Sequence, residues 1–452
     1  MERDQLISKF RKLGGVIDPN DYGFVFFYPP FTWLETLREP LTPAFFSRVE
    51  DQEAAIYVHI PFCYHECSYC YFTKFSRNID KIKAGYITHL KEDLKLYAKF
   101  LSNKKIKAIY FGGGTPSILA IDEVRQIQLT INSLFDTNQL QEITFECSPE
   151  TLLVQKESID FYLNRLKDDI GVTRISLGVQ SFNDDILESI LGRKHSADQA
   201  KQGIGAIKKA NFRTFNIDLM YGFPQKDFKS AKDALKADLE VLDSLKLPSI
   251  TFYQLWGKKD RDVVLNKPIW QLEEYDRPKP EEIINFRQLI LQSMNDSGYN
   301  QWMRDWFIKE EKDKLLYNTF LFNSRTVIGT GLSAYGYLNI SGDNGYAYLN
   351  HSGLEEYYKL IDNEKLPLNK VGTLKGPNRQ LRNLILGFKR EDGVEIDKEW
   401  IDTCSGDKLE KLTKGGFINK SVMNNKILIK LTEKGRLFAD EICRLFFEPL
   451  QS

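Results

Sequence analysis

Three of the six cysteines in this 452-residue chain, Cys63, Cys67 and Cys70, fall within eight residues in the spacing C-x3-C-x2-C. Three thiolates on one short loop can each take one iron of a [4Fe-4S] cube and leave the fourth iron without a protein ligand. An open coordination position marks a site for chemistry rather than a scaffold. A structural zinc site is the competing reading. Zinc asks for a fourth protein ligand and usually for paired C-x2-C units, which the chain lacks, and His65 inside the loop would complete the set only with awkward geometry. The apolar run Ile56, Tyr57, Val58 is expected to be the strand that delivers the loop, with Tyr57 and His59 on the same side of it. His59 is then a loop-orienting residue, and Tyr57 either packs in the core or touches whatever the metal site binds.

The elements that must position this loop show as an alternation of short β-branched or aromatic runs with longer amphipathic stretches. The strand candidates are AIYVHI, IKAIYFGG, EITFEC, RISLGVQ, FRTFNIDLM and SITFYQL. Between the first two, Ile82, Tyr86, Leu90, Leu94, Tyr97 and Leu101 recur every three or four residues, the apolar stripe of a helix lying on a sheet. Repeated strand-then-helix units imply a parallel α/β sheet, a barrel or an incomplete one, with the chemistry at the C-terminal ends of the strands. Those ends are polar or glycine-rich: the cysteine loop, then Gly112, Gly113, Gly114 and Thr115, then Glu146, Gln180 and Asp218. A glycine run lets the backbone approach a ligand that a side chain would obstruct.

Composition bounds the rest. Hydrophobic residues make up 42% and charged residues 27%, and 62 basic side chains balance 62 acidic ones, so the overall charge gives no footprint of a nucleic-acid binder. There is no apolar run near the length of a membrane span, and the opening MERDQLISKFRKLGG lacks the apolar core of a signal peptide. The expectation is a cytoplasmic monomer with neither membrane nor nucleic acid as partner. The scattered Cys147, Cys404 and Cys443 suit a reducing compartment. Four regions are expected: an N-terminal extension (1–50) packing on the core, the core (51–260), a region completing the substrate face (261–374) and a C-terminal domain (375–452). In the last, strand, Leu-Thr and helix over ILIKLTEKGRLFADEI suggest a winged-helix element with a lid or packing role.

The motifs YVHIPFCYHECSYC, YFGGGTPS, TFECSPE, RISLGVQSFNDDILESILGRKHS, NIDLMYGFPQ and ITFYQLW follow one another over about two hundred residues. In this order they resemble the radical S-adenosylmethionine (SAM) superfamily, and within it the HemN-like family of oxygen-independent coproporphyrinogen III oxidases. The resemblance implies a partial (β/α)6 TIM-like barrel with an N-terminal extension and a small helical, winged-helix-like C-terminal domain. It implies a [4Fe-4S] cluster on Cys63, Cys67 and Cys70 whose free iron chelates SAM and whose electron cleaves it to a 5′-deoxyadenosyl radical. Carried over by position, Gly113 and Glu146 meet the SAM amino group, Arg193 its carboxylate, and Gln180 and Asp218 the ribose hydroxyls. Tyr69 and Phe72 flank the adenine, and Tyr57 contacts the bound cofactor and joins the cysteines in the catalytic set. A second SAM is expected near Thr115 and the SAYGY stretch from Ser333 to Tyr337, and an electron donor such as flavodoxin or ferredoxin is implied. Phe72 stands where the porphyrinogen oxidases carry a fourth cysteine. Lys226 and the WGKKD stretch also depart from the family pattern. These departures favour C-methylation or cyclopropanation of a porphyrin-like or natural-product intermediate, with porphyrinogen decarboxylation and heme carriage of the HemW type as alternatives.

Overall fold

A computed structural model describes residues 2–17, 27–223, 228–255 and 278–447. The chain forms two compact units, each assembled from separated segments. The first, residues 31–218 and 315–374, carries the cysteine loop; the second is built from residues 1–30, 219–314 and 375–452.

The cysteine-bearing unit is organised around parallel strands. The first (Glu53–Ile60), second (Lys105–Gly113), third (Glu142–Cys147) and fourth (Arg174–Gln180) lie side by side in chain order. The fifth (Thr214–Tyr221) follows them in the strand order. The first five of the six expected runs are thus strands. Their nearly continuous burial reflects cover on both faces, as parallel sheets require. The first crossover is helix Ile79–Leu101, which buries Tyr86, Leu90, Leu94, Tyr97 and Leu101 of the expected stripe. The same face buries Asp93, which accepts from the Gly331 N–H and the Tyr357 hydroxyl.

The stretch TVIGTGLSAYGYLN forms two strands. Val327–Thr330 runs parallel to the first strand, and Tyr335–Ile340 turns back antiparallel. The turn between them needs left-handed backbone at Gly331 and Ser333, with φ of 95° and 56°. Asn344–Asn350, Leu368–Lys375 and the two-residue strand Glu35–Thr36 extend this antiparallel edge.

In the second unit, strand Ser249–Gln254 pairs antiparallel with Trp306–Ile308, and a three-stranded sheet has the order Val394–Asp397, Lys426–Leu431, Ile418–Met423. With helices Lys398–Cys404 and Gly406–Gly415, this strand-helix-helix-strand-strand order is that of a winged helix. The first fifty residues are divided between the units: Phe10 packs on Phe417 and Phe438 in one, and Phe46 stacks on Phe100 in the other. Buried in the second unit is a charged cluster. Arg287 reaches both carboxylate oxygens of Glu441 at 2.9 Å and Gln254 at 3.0 Å. Arg304 pairs with Asp305 and, at 3.4 Å, with Asp440, which also receives Lys389. Burial works against a charge on Asp440, but Lys389, Arg304 and Arg287 together hold its carboxyl below the usual carboxylate range. Among the described residues no helix is long and apolar enough to cross a membrane. Lys226 and the WGKKD stretch lie outside the described residues.

Candidate cofactor site

The cysteine loop leaves the first strand through a narrow neck. Phe75 donates its N–H to Pro61 O (2.7 Å), Cys63 donates to Phe75 O (3.1 Å), and Phe62 and Phe75 form a parallel bridge. Farther out, Ser68 is tied through its N–H to Leu191 O (3.0 Å) and through its hydroxyl to Ile190 O (2.5 Å). Lys74 Nζ donates to Cys70 O at 3.0 Å. The three free thiols are half-buried. Burial pushes the Cys63 thiol up to about 12 despite its contact with Thr115 Oγ1 at 3.4 Å, and it raises Cys70 against the pull of Lys74. Each thiolate would also repel the others, so ionising all three here calls for cations among them. His65, which a zinc ion would need as its fourth donor, is exposed. Zinc collects its donors on one centre, whereas a cube of iron and sulfide gives each thiolate its own iron. The donor set fits the cluster.

Opposite the loop, the second strand ends in the glycine run, where pairing with the first strand continues past both strand ends. Gly114 donates to Ile60 O (2.8 Å) and Thr115 to Phe62 O (2.7 Å). A Cβ at Gly114 would lie 2.7 Å from those same carbonyl oxygens, one at Gly113 (φ 109°) 2.5 Å from the His59 ring, and one at Gly112 2.7 Å from Tyr110. The space that the missing side chains leave is therefore occupied by the protein itself.

His59 is 2% exposed. Its Nε2 faces Thr73 O at 3.1 Å and its Nδ1 faces the Tyr57 hydroxyl at 3.2 Å. A carbonyl only accepts, so Nε2 carries the hydrogen and Nδ1 accepts from Tyr57; the neutral ring satisfies both contacts. Burial keeps it neutral, lowering its pKa to about 4. The tip of the third strand holds Glu146, which accepts from the Tyr110 hydroxyl (2.6 Å) and the Gly113 N–H (3.1 Å). Burial, joined by the charge of Asp218, outweighs these donors and raises the Glu146 carboxyl to about 7. Asp218 accepts from Asn216 Nδ2 (2.8 Å) and the Ser176 hydroxyl (3.1 Å). Gln180 closes the fourth strand at φ 71°, its amide lying over Gly178.

Beyond the fourth strand, a π-helical turn (Ile186–Ile190) and left-handed Gly192 set Arg193 in place. A π turn of this kind often marks a functional site. The Arg193 guanidinium meets Cys67 Sγ, Glu150 and the carbonyl of Gly178. Tyr69 lies near enough to Cys67 and Arg193 to sense both charges. Phe72 is 42% exposed and stacks on Tyr71 with ring centroids 4.6 Å apart.

The expected residues fall into two connected groups. Tyr57, Gly112, Gly113, Gly114, Thr115, Cys63, Glu146 and Asp218 are linked by the contacts above, and Cys67, Tyr69, Cys70, Gln180 and Arg193 form the second group. Phe72 stands at the rim. Sequence reasoning missed Tyr110, Glu150, His195 and Tyr317. Tyr110 was accessible from strand alternation, two residues before Gly112. Tyr317, whose ring centroid is 4.9 Å from that of Tyr110, comes from a distant helix with no local signal.

Residues 57–235 match the radical SAM superfamily. The chain is 31% identical to the heme chaperone HemW of Lactococcus lactis over 84% of its own length and 93% of that protein's. It is 24% identical to the oxygen-independent coproporphyrinogen III oxidase of Escherichia coli over 88% and 86% of the two chains. Among solved structures, coproporphyrinogen III oxidase (HemN) from Escherichia coli superposes with a TM-score of 0.70 at 21% identity, covering 89% of this chain and 92% of that one, a likeness of fold. With the cysteine loop, the parallel strands and their polar tips already in place, these matches assign the chain to the radical SAM superfamily, where it belongs to the HemN-like family that holds the HemW chaperones and the oxygen-independent coproporphyrinogen III oxidases.

Proposed function

We propose that this chain binds a [4Fe-4S] cluster and SAM and handles heme in the manner of a HemW chaperone. The observation that carries the reading is the 31% identity to a heme chaperone across nearly the whole of both chains. Methyl transfer and cyclopropanation, preferred from the sequence because of Phe72, rest on far fewer residues and give way to it.

In this reading Cys63, Cys67 and Cys70 hold the cluster, which when bound would supply the electron that cleaves SAM. Glu146 accepts from the SAM ammonium, with the Gly113 carbonyl as a second acceptor. Arg193 pairs with the carboxylate, and Asp218 and Gln180 with the ribose diol. Tyr57, clustered with Tyr110 and Tyr317, forms one aromatic wall, and Tyr69 and Phe72 another. His59 spans the loop and the strand through Thr73 and Tyr57, keeping the cysteines in register. A second SAM would rest against Thr115 and the Ser333 turn, which is joined to Thr73 by a 2.7 Å hydroxyl contact. The electron would come from a small carrier such as flavodoxin or ferredoxin.

The test is anaerobic reconstitution with iron and sulfide, followed by addition of heme. The expected result is about four cluster irons per chain and heme that stays with the protein through gel filtration. Carbon dioxide released from coproporphyrinogen, or S-adenosylhomocysteine formed alongside a methylated product, would overturn heme handling in favour of catalysis on an organic substrate.

A further inference from the structure

An arginine after a glycine turn ordinarily points into solvent, yet Arg193 is only 8% exposed. Its Nη1 donates to Cys67 Sγ at 3.4 Å, while Nη2 donates to Gly178 O at 2.8 Å and Glu150 Oε2 at 3.2 Å. Glu150 is itself held: His195 Nδ1 lies 2.9 Å from the same carboxylate oxygen, and His195 Nε2 lies 3.1 Å from Val179 O. Burial works against a charge on Glu150, but Arg193 and His195 hold its carboxyl down to about 2. The backbone repeats the connection. Ser68, next to Cys67, is bonded to Ile190 and Leu191, immediately before the turn that carries Arg193. A Cβ at Gly192 would stand 3.5 Å from Ser68 N, so the turn and the cysteine loop are in van der Waals reach of each other.

An ion pair between Arg193 and Glu150 needs no sulfur. The fork geometry of a guanidinium, however, lets one nitrogen face the carboxylate while another faces the thiol. A charged N–H donor on a ligand sulfur stabilises the added electron of a reduced iron–sulfur cluster and raises its potential. We propose that Arg193, fixed by Glu150 and His195, sets the reduction potential of the cluster through its hydrogen bond to Cys67. The inference rests on the cluster reading above and is separate from the contact of Arg193 with SAM. The buried Nε of Arg193, without a hydrogen-bond partner among the described residues, leaves a donor for that second role.

The experiment is a potentiometric titration of the reconstituted cluster without SAM, followed by electron paramagnetic resonance, with iron content measured first. Arg193→Gln should retain about four irons. Its midpoint should fall by an amount on the order of a tenfold change in the one-electron equilibrium, about 59 mV. Arg193→Lys, which keeps the charge and loses the fork, should fall by part of that, and it decides the matter if the glutamine variant does not fold. Glu150→Ala should shift the midpoint when Arg193 is present and leave it unmoved in the Arg193→Gln background. A full cluster with an unchanged midpoint in both Arg193 variants overturns the proposal. An equal shift from Glu150→Ala in both backgrounds overturns the fixing role of Glu150. A wild-type chain that takes up no iron overturns the cluster reading and this inference with it.

Discussion

The charged cluster of the second unit and Glu146 of the cysteine-bearing unit bury charge on opposite terms. In the second unit, three bases, Arg287, Arg304 and Lys389, meet three acids, Asp305, Asp440 and Glu441, in direct ion pairs. In the cysteine-bearing unit, Glu146 is held by a phenol and a backbone amide, neither of which carries a charge. Paired charges saturate one another, and a buried pair is costly to break. A carboxylate held by neutral donors keeps its capacity for a cation and stays close to its protonation midpoint. The first arrangement serves the fold, and the second is suited to an incoming ammonium.

Four changes would break or sharpen that contrast. Cys67→Ala should remove essentially all cluster iron from the reconstituted protein while its far-ultraviolet circular dichroism stays as in the wild type, because the parallel strands do not depend on the loop. Loss of soluble protein would instead mark the loop as structural. In the paired cluster, Asp440→Ala leaves Lys389 buried without its main partner and should cost about 3–5 kcal/mol in urea unfolding, with little effect on iron uptake. A cost below ~1 kcal/mol would mean that the pairs do not hold this unit together.

Glu146→Gln removes the charge and keeps the shape. It should weaken SAM binding by roughly 1.5–3 kcal/mol, the worth of a hydrogen bond to a charged group, without loss of iron. Equilibrium dialysis that finds wild-type affinity would take the ammonium contact away from this residue. The smallest effect expected is on pH. With its pKa near 7, Glu146 is largely protonated at pH 6 and largely ionised at pH 8. A ligand ammonium needs the ionised form, so SAM affinity should rise up to about tenfold across that interval and fall again as the pH drops. The same titration of Glu146→Gln should be flat; a slope that persists would assign the effect to another group.

Much of the cysteine-bearing unit was legible because each part of it is a local pattern. Five of the six strand runs, a helical stripe and polar strand ends lie within consecutive stretches of sequence, and the cysteine spacing is explicit. What could not be read comes from segments far apart in the chain. Arg287, Arg304, Lys389 and Asp440 span more than 150 positions, and nothing near any one of them announces the others. Glu150 sits in a motif that was recognised, yet its hold on Arg193 appears only when a short helix and a π turn come together. The glycine run was legible as a place where side chains are excluded. Its occupant was not, since a run that admits a ligand and one that admits the neighbouring strand look the same in sequence. The turn at Gly331 and Ser333 was hidden for a related reason: a non-glycine residue in left-handed backbone leaves no mark in composition.

The bonds that run past the strand ends bear on electron transfer. Gly114 to Ile60, Thr115 to Phe62, and Gly113 to Glu146 make the neck of the cysteine loop, the glycine run and the carboxylate one stiff block, with no side-chain volume to spare between its parts. On the cluster reading, an electron arriving at this loop would meet dipoles that are already in place and have little freedom to turn. The reorganisation energy of the surroundings would then be small, so that the rate of reduction would depend chiefly on the docked donor and its distance.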